Sequence, residues 1–255
     1  MRRKGTNRSA VFLLIAGLPL VASSQAFAAP GAPNQQAIAQ LKGSGKIVGR
    51  VRLEGHFKRP PPLQVYKNRD FCGAEVPNES LLVGAEGSLQ NAVIIVHGAQ
   101  SKQSMSPSKS LMLDNKKCAF VPHVQVAPVG SEILLLSSDP ILHDVHARIG
   151  SETLFNVGLP TWRQVKERLT RTGIVTIQCE VLHTWMSAYI VVTPSPYFAV
   201  TDAQGEFVIE GMPAGTYEIE AWHEKLGRQS RIMTVTAGTT LRVDFIYRLT
   251  TNGPN

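Results

Sequence analysis

The sequence predicts an all-β protein of the sandwich or barrel type. Short runs rich in Val and Ile recur along its 255 residues, and turn residues separate them. The chain contains 21 Gly and 16 Pro, a composition that favours frequent turns. No stretch combines the length and the periodicity of a long helix. Short strands at regular intervals are typical of β-sandwiches and barrels.

The predicted strands begin at residues 46–53, where apolar and polar residues alternate as in a half-buried strand. We interpret residues 29–45 as a flexible arm and residues 97–110 as a linker rich in Ser. Residues 161–172 fit either a short amphipathic helix, with Trp162, Val165 and Leu169 on one face, or a long loop. The other predicted strands are 92–96, 120–126, 132–136, 144–149, 174–178, 188–192, 197–200, 207–209, 216–221, 232–235 and 241–247.

Residues 1–28 have the features of a secretory signal peptide. An apolar run at 11–22 precedes small residues at 26–28 in the A-x-A pattern of a cleavage site. The run is too short for a bilayer-spanning helix, which needs roughly 20 residues. We therefore expect export to the periplasm without stable membrane insertion; a retained membrane anchor is the alternative. The basic residues that begin the segment are Arg2, Arg3, Lys4 and Arg8.

Charge gives little indication of a partner. The formal charge of +7 falls to about +3 once the four basic residues of 1–28 are set aside. The remaining sequence has no dense Lys/Arg patch interleaved with aromatic residues, which is the pattern typical of nucleic-acid binding. We therefore expect no nucleic-acid partner.

The segment that carries chemistry is a C-x3-H-x2-M motif formed by Cys179, His183 and Met186. A thiolate, an imidazole and a thioether on one loop suit copper, which takes two His and one Cys in a plane with a long axial Met. The best candidate for the second His is His143, where a turn gives way to a strand. His146, three residues on, points to the opposite face of that strand. The alternatives are a metal-free shell with a buried Cys, and zinc, whose structural sites rarely recruit Met.

Residues 110–195 resemble the cupredoxin family of blue-copper proteins. The resemblance is carried by 118–124, 128–132, 143–145 and 173–186. It implies a Greek-key β-sandwich with His143, Cys179, His183 and Met186 as ligands. The loop is also similar to half of the binuclear copper loop of cytochrome oxidase subunit II. That loop has a further Cys where this chain has Val175, which implies one copper per chain. Asp144 replaces the family's usual Asn, which hydrogen-bonds near the thiolate.

The cysteine count fits this interpretation. The chain has three Cys, an odd number for an exported protein. With Cys179 assigned to the metal, Cys72 and Cys118 are left to form a disulfide, worth roughly 3–4 kcal/mol on the chain-entropy model. The alternative is two unpaired thiols.

Residues 46–97 and 196–248 resemble a carboxypeptidase-regulatory-like domain, a small transthyretin-like β-sandwich. Its turn motifs are at 201–207 and 212–217, and its first two strands match 45–51 and 92–96. We therefore expect the cupredoxin sandwich to be inserted into a discontinuous second sandwich; two sequential domains are the alternative. The combination resembles proteins labelled methylamine-utilisation or plastocyanin-like.

The resemblance implies electron transfer through one copper to a periplasmic redox partner protein, with the edge of His183, beside Trp185, exposed to that partner. Two alternatives are a copper carrier or storage protein, and an envelope glycan- or protein-binding module in which copper is incidental or lost. An enzyme is not expected, because four protein ligands leave no open position for substrate. We interpret Trp222-His223-Glu224 as a packed turn and give His97 no role, while His123 is a possible neighbour of the ligands.

Overall fold

The computed structural model describes residues 43–99, 111–161 and 163–249. Within them nearly every regular element is a strand, so the all-β prediction is confirmed. The predicted signal peptide, most of the arm, most of the linker and Trp162 lie outside the described residues. No helix in the described ranges is long and apolar enough to cross a membrane.

The elements before residue 100 are β1 (Gly45–Glu54), β2 (Leu63–Gln64), α1 (Arg69–Cys72), β3 (Glu75–Val76), a 3-10 turn (Ala85–Gly87) and β4 (Val93–His97). The middle strands are β5 (Leu111–Lys116), β6 (Ala119–Val121), β7 (Val124–Pro128), β8 (Glu132–Ser137), β9 (His143–Ile149), β10 (Glu152–Leu159), β11 (Val165–Arg168), β12 (Gly173–Gln178) and β13 (Ser187–Thr193). The last strands are β14 (Phe198–Val200), β15 (Glu206–Met212), β16 (Gly215–His223), β17 (Gly227–Val235), β18 (Thr240–Arg242) and β19 (Phe245–Arg248).

Strands β5–β13 form a sandwich that we call the central sandwich. One sheet has the order β10-β9-β12-β13-β7 and the other β11-β8-β5-β6. The alternating burial along β8 shows why these residues form strands, since one side chain in two enters the core between the sheets. Strands β9 and β12 are antiparallel neighbours, with Gln178 opposite His146. This pairing brings the start of β9 close to the end of β12.

The outer sandwich consists of β1, β4 and β14–β19. Strand β1 pairs with β15, β18 and β19, while β4 lies between β14 and β16. The strands of this sandwich therefore come from both sides of the central sandwich in the chain. Gly49 lies where β1 passes from β18 to β19, and a Cβ there would meet the Val243 carbonyl oxygen at 1.8 Å. No larger residue fits at that position.

The two sandwiches pack against each other through an apolar layer. Val93 and Ile95 of β4 and Trp222 of β16 meet Val124 and Val191 of the central sandwich. The alternate residues of β4 enter the core of the outer sandwich. Because both faces of β4 are covered, its sequence is apolar throughout, as in strands buried on both sides.

The segment from β2 to β3 (residues 63–76) extends away from the outer sandwich and covers one end of the central sandwich. We call it the cap segment. Its Val65 and Val76 are buried in the core of the central sandwich. Cys72 is joined to Cys118 by a disulfide across 46 positions, so the predicted pairing of these cysteines is confirmed.

Two strand predictions and one helix-or-loop prediction are wrong in detail. The predicted strand 120–126 is two strands, β6 and β7, in different sheets. Pro122 lies between them, and proline has no N–H to continue a ladder. The predicted strand 241–247 is likewise divided into β18 and β19, and 161–172 contains strand β11, with no helix among its described residues.

Candidate metal centre

Three potential ligands converge at one end of the central sandwich. The Nδ1 atoms of His143 and His183 lie 3.0 Å apart. The Sγ atom of Cys179 lies 3.9 Å from Nδ1 of His143 and 3.7 Å from Nδ1 of His183. All three side chains are buried, and their donor atoms lie within 4.8 Å of one another. The sequence-predicted residues are thus brought to a single point.

Neighbouring strands hold this cluster. His143 begins β9, and Cys179 directly follows β12, its antiparallel neighbour. The loop from Cys179 to Met186 then returns to β13, with Leu182 at a φ of 68° and the Met186 N–H donating to the His183 carbonyl oxygen at 2.9 Å. This turn directs His183 back towards Cys179.

Met186, the predicted fourth ligand, closes the same loop. It is 2% exposed and belongs to the same core cluster as Cys179. A thioether is only a weak hydrogen-bond acceptor, so burial of this side chain leaves no strong polar group unpaired. Its place on the buried end of the loop is compatible with a weak axial ligand.

His143 is oriented by a buried carboxylate. Its Nε2–H donates to Oδ2 of Asp139 at 3.0 Å. Asp139 also accepts the backbone N–H groups of Lys117, at 2.6 Å, and Cys118, at 2.8 Å. A carboxylate only accepts hydrogen bonds, so this contact puts the imidazole proton on Nε2 and leaves the Nδ1 lone pair facing the cluster.

His183 is held in the same way by a different group. Its Nε2 lies 2.8 Å from Oδ1 of Asn68, in the cap segment. The expectation of an exposed His183 edge is wrong, because the residue is only 1% exposed beneath the cap segment. The ring also lies 5.1 Å from that of Trp185, whose Nε1–H donates to the Cys118 carbonyl oxygen.

The electrostatics of the cluster favour a cation. With both Nε2–H groups donating outwards, two Nδ1 lone pairs face each other at 3.0 Å with no proton between them. Burial lowers the pKa of both histidines, and the proximity of His143 lowers that of His183 further. Neutral imidazoles are the form that binds metals. The donor set therefore fits a metal ion placed between the three atoms.

Cys179 is a thiol in this environment. Burial raises its pKa to about 12, and the Asp144 carboxylate adds to the rise. The backbone N–H groups of Asp144 and Val181 oppose it by hydrogen bonding to the sulfur. A bound metal ion replaces the thiol proton, because the thiolate is the ligand form.

Asp144 has two contacts that an Asn at this position could also make. Its Oδ1 accepts the backbone N–H groups of Glu180, at 2.6 Å, and Val181, at 3.1 Å. These bonds fix the start of the ligand loop on β9. The substitution of Asp for the usual Asn therefore preserves the support of the loop and adds a negative charge beside the sulfur.

The other histidines singled out in the sequence lie elsewhere. The ring of His146 contacts Oγ1 of Thr153 at 2.7 Å and a carboxylate oxygen of Glu180 at 2.7 Å, on the face away from the cluster. His123 contacts the Ser187 carbonyl oxygen and the Glu224 carboxylate of the outer sandwich. It links the two sandwiches and touches none of the three donor residues.

Sequence reasoning missed two residues of the site. Asp139 had a local signal, since it lies in a turn four residues before His143. Asn68 had none, because it is 115 positions from the His183 that it contacts.

Fold and site together define an all-β protein of two sandwiches, one of which carries a candidate His, Cys, His and Met metal centre. Residues 186–248 match the family model of the carboxypeptidase regulatory-like domain. This range covers strands of the outer sandwich and the last strand of the central one. No curated protein matches the chain.

Several solved structures are similar to part of the chain. A Cu-containing nitrite reductase from Thermus scotoductus SA-01 has 20% identity and a TM-score of 0.31, over 38% of this chain and 24% of that one. A purple cupredoxin from Nitrosopumilus maritimus has 18% identity and a TM-score of 0.30, over 33% of this chain and 100% of that one. A reduced amicyanin mutant has 17% identity and a TM-score of 0.30, over 40% of this chain and 99% of that one. The chain thus spans about a quarter of the nitrite reductase. At TM-scores this low, support for the candidate metal centre comes from its side-chain geometry alone.

Proposed function

We propose that this chain binds one copper ion and exchanges single electrons with a redox partner protein in the periplasm. His143, Cys179 and His183 would hold the ion, with Met186 as a weak fourth ligand. The observation that carries the proposal is the convergence of two Nδ1 lone pairs and one sulfur at a buried point, with both Nε2 atoms engaged elsewhere.

Copper is the metal that this mixture of donors favours. Two imidazoles and a thiolate in a plane, with a weak thioether, are typical of electron-transfer copper sites. Zinc is disfavoured, because its structural sites use Cys and His without Met. The residues present support one ion per chain, since Val175 stands where a binuclear copper loop has a second Cys and the loop offers a single thiol.

The chain's own residues would keep the ligands in place when the charge of the ion changes. Asp139 fixes the ring of His143, Asn68 fixes that of His183, and Asp144 fixes the loop that begins at Cys179. Copper supplies the one-electron couple when bound. A set of ligands that is already oriented reorganises little, which favours fast electron exchange. We propose no catalytic step, because four protein ligands leave no position for a substrate.

Export is part of this proposal. The basic start, apolar run and A-x-A pattern of residues 1–28 support a cleaved signal peptide. A buried disulfide cysteine, Cys118, is also compatible with an oxidising compartment such as the periplasm.

A second candidate, copper storage, is favoured by one observation. His183 is buried beneath the cap segment, which limits access to the ligand through which a partner would exchange electrons. Storage requires retention of Cu(I) without redox exchange, and the same ligands suit it.

Addition of Cu(II) to the purified protein tests the main proposal. We expect an intense thiolate-to-copper charge-transfer band and an EPR signal of one Cu(II) per chain. Both should be lost in Cys179→Ser and kept in His146→Gln, a matched histidine of β9 outside the cluster. Reversible voltammetry of the loaded protein would support electron transfer over storage. A wild-type protein that gives no band would overturn the proposal.

A further inference from the structure

The ligand loop reaches the surface, yet its histidine does not. Leu182 is 64% exposed, whereas the adjacent His183 is 1% exposed. The position of His183 in the central sandwich therefore does not by itself explain why this side chain is buried. The residue that meets its Nε2 is Asn68, which comes from a segment that precedes the central sandwich in the chain.

The cap segment is firmly attached on both sides of Asn68. Strands β2 and β3 pair with each other, and the Val65 N–H donates to the Ala74 carbonyl oxygen at 3.0 Å. The disulfide from Cys72 to Cys118 fixes the end of α1 to the central sandwich. Asn68 itself has a φ of 55°, the left-handed region that Asn tolerates better than most residues. The amide is thus presented to His183 by a fixed backbone.

We infer that Asn68 is a positioning residue for His183 and that the cap segment closes the solvent side of the metal centre. Its Oδ1 accepts the Nε2–H, which selects the tautomer whose Nδ1 lone pair faces Cys179 and His143. The contact between Asn68 and His183 is independent of copper, whereas the effect of the cap segment on copper exchange rests on the proposed function.

Closure has a consequence for copper exchange. For copper to leave, or for a chelator to enter on this side, the ring of His183 must turn away from the cluster. That movement breaks the bond to Asn68 and displaces a segment that a disulfide and two core residues, Val65 and Val76, hold in place. The cap segment therefore slows copper loss, and a redox partner contacts the cap instead of the imidazole.

The test is to replace Asn68 by Gly, which removes the amide without backbone strain because φ is positive. We expect a Cu(I) chelator to strip copper from the Asn68→Gly protein about 10–100 times faster than from wild type, the usual scale for losing a group that orients a ligand. Asn68→Asp keeps an acceptor at the same place and should remain close to the wild-type rate. The matched control is Asn91→Gly, the same change at another left-handed position, φ 64°, outside the cap segment and the metal centre.

A second measurement needs no copper. Nitrogen NMR of the metal-free protein should report the Nε2–H tautomer of His183 in wild type and Asn68→Asp, and its loss in Asn68→Gly. An unchanged tautomer together with an unchanged stripping rate in Asn68→Gly would overturn the inference. A wild-type protein that binds no copper but shows the tautomer change would overturn the proposed function and leave the positioning role of Asn68 supported.

Discussion

The two sandwiches are built alike but arrange their buried polar side chains differently. In the outer sandwich the buried hydroxyls are isolated and bonded to nearby backbone, as Thr201 is to the Leu89 carbonyl oxygen and Ser195 to that of Val96. In the central sandwich the imidazoles of His143 and His183, the thiol of Cys179 and the Asp139 carboxylate meet at one end.

This difference separates a scaffold from a site. Burying ionisable groups is unfavourable unless they are paired; here Asp139 pairs with His143, and Asn68 of the cap segment pairs with His183. The outer sandwich has a continuous apolar core and contributes stability, and its described residues form no such cluster. Function in this molecule therefore depends on a few polar side chains placed on one of two similar frameworks.

The largest effect should come from a cavity in the scaffold. Phe245 is fully buried in the core of the outer sandwich. Phe245→Ala should lower the free energy of unfolding by about 3–5 kcal/mol, because the lost contacts leave a cavity. Chemical denaturation measures this loss, and copper titration of the folded variant should give an affinity within about two-fold of wild type, since distant sites act independently.

The matched variant is Phe120→Ala in the central sandwich. Phe120 belongs to the same core cluster as Cys179 and Met186. The same deletion there should lower both stability and copper affinity. Equal losses of copper affinity in the two variants would contradict the separation of scaffold from site.

A smaller effect, on copper affinity instead of stability, is expected at Asp139. Asp139→Asn removes the negative charge that orients His143, and it should lower copper affinity about 10–100-fold. Asp114→Asn is the matched control, because Asp114 is also buried in the central sandwich but its carboxylate bonds to Ser138 and, among the described residues, not to a candidate ligand. Competition with a chelator measures both. Similar losses in the two variants would show that the effect of Asp139 is not specific to the ligand.

The sequence was most informative where contacts are local. The spacing of Cys179, His183 and Met186 predicted the loop, because three ligand types on one turn need no knowledge of the rest of the fold. The odd number of cysteines then led to the disulfide between Cys72 and Cys118, which the structure contains. The apolar run at 92–96 predicted β4, because both of its faces are covered.

Contacts between distant segments were not predictable in the same way. The burial of His183 depends on Asn68, in a segment without hydrophobic periodicity that a disulfide positions. The strand predicted at 120–126 looked continuous by composition, but its halves join different sheets. Periodicity reports which side of a strand is buried and carries no information about which segment covers it.

The smallest predicted effect concerns the contact between the sandwiches. His123 of the central sandwich bonds to Glu224 of the outer one, and both side chains are almost completely buried. Burial by itself lowers the pKa of His123. The hydrogen bond and the charge of Glu224, with a contribution from Glu79, outweigh this effect and raise the pKa above its ordinary value of 6.5. The charged pair therefore contributes stability that is fully present below the ordinary pKa and is lost as the pH rises through the raised one.

Glu224→Gln should lower the free energy of unfolding by about 1 kcal/mol below pH 6.5, the difference between a charged and a neutral hydrogen bond. The difference from wild type should shrink as the pH rises through the pKa of His123. Nearby His223 acts with the opposite sign, because burial, followed by the charges of His123 and Lys225, lowers its pKa to about 4, so its contribution is lost as the pH falls. Glu220→Gln, which removes a carboxylate beside the half-exposed His97 of the outer sandwich, is the matched control. Denaturation curves from about pH 5 to about pH 9 measure all three proteins. A Glu224→Gln deficit that is constant across this range would show that apolar packing alone joins the scaffold to the site.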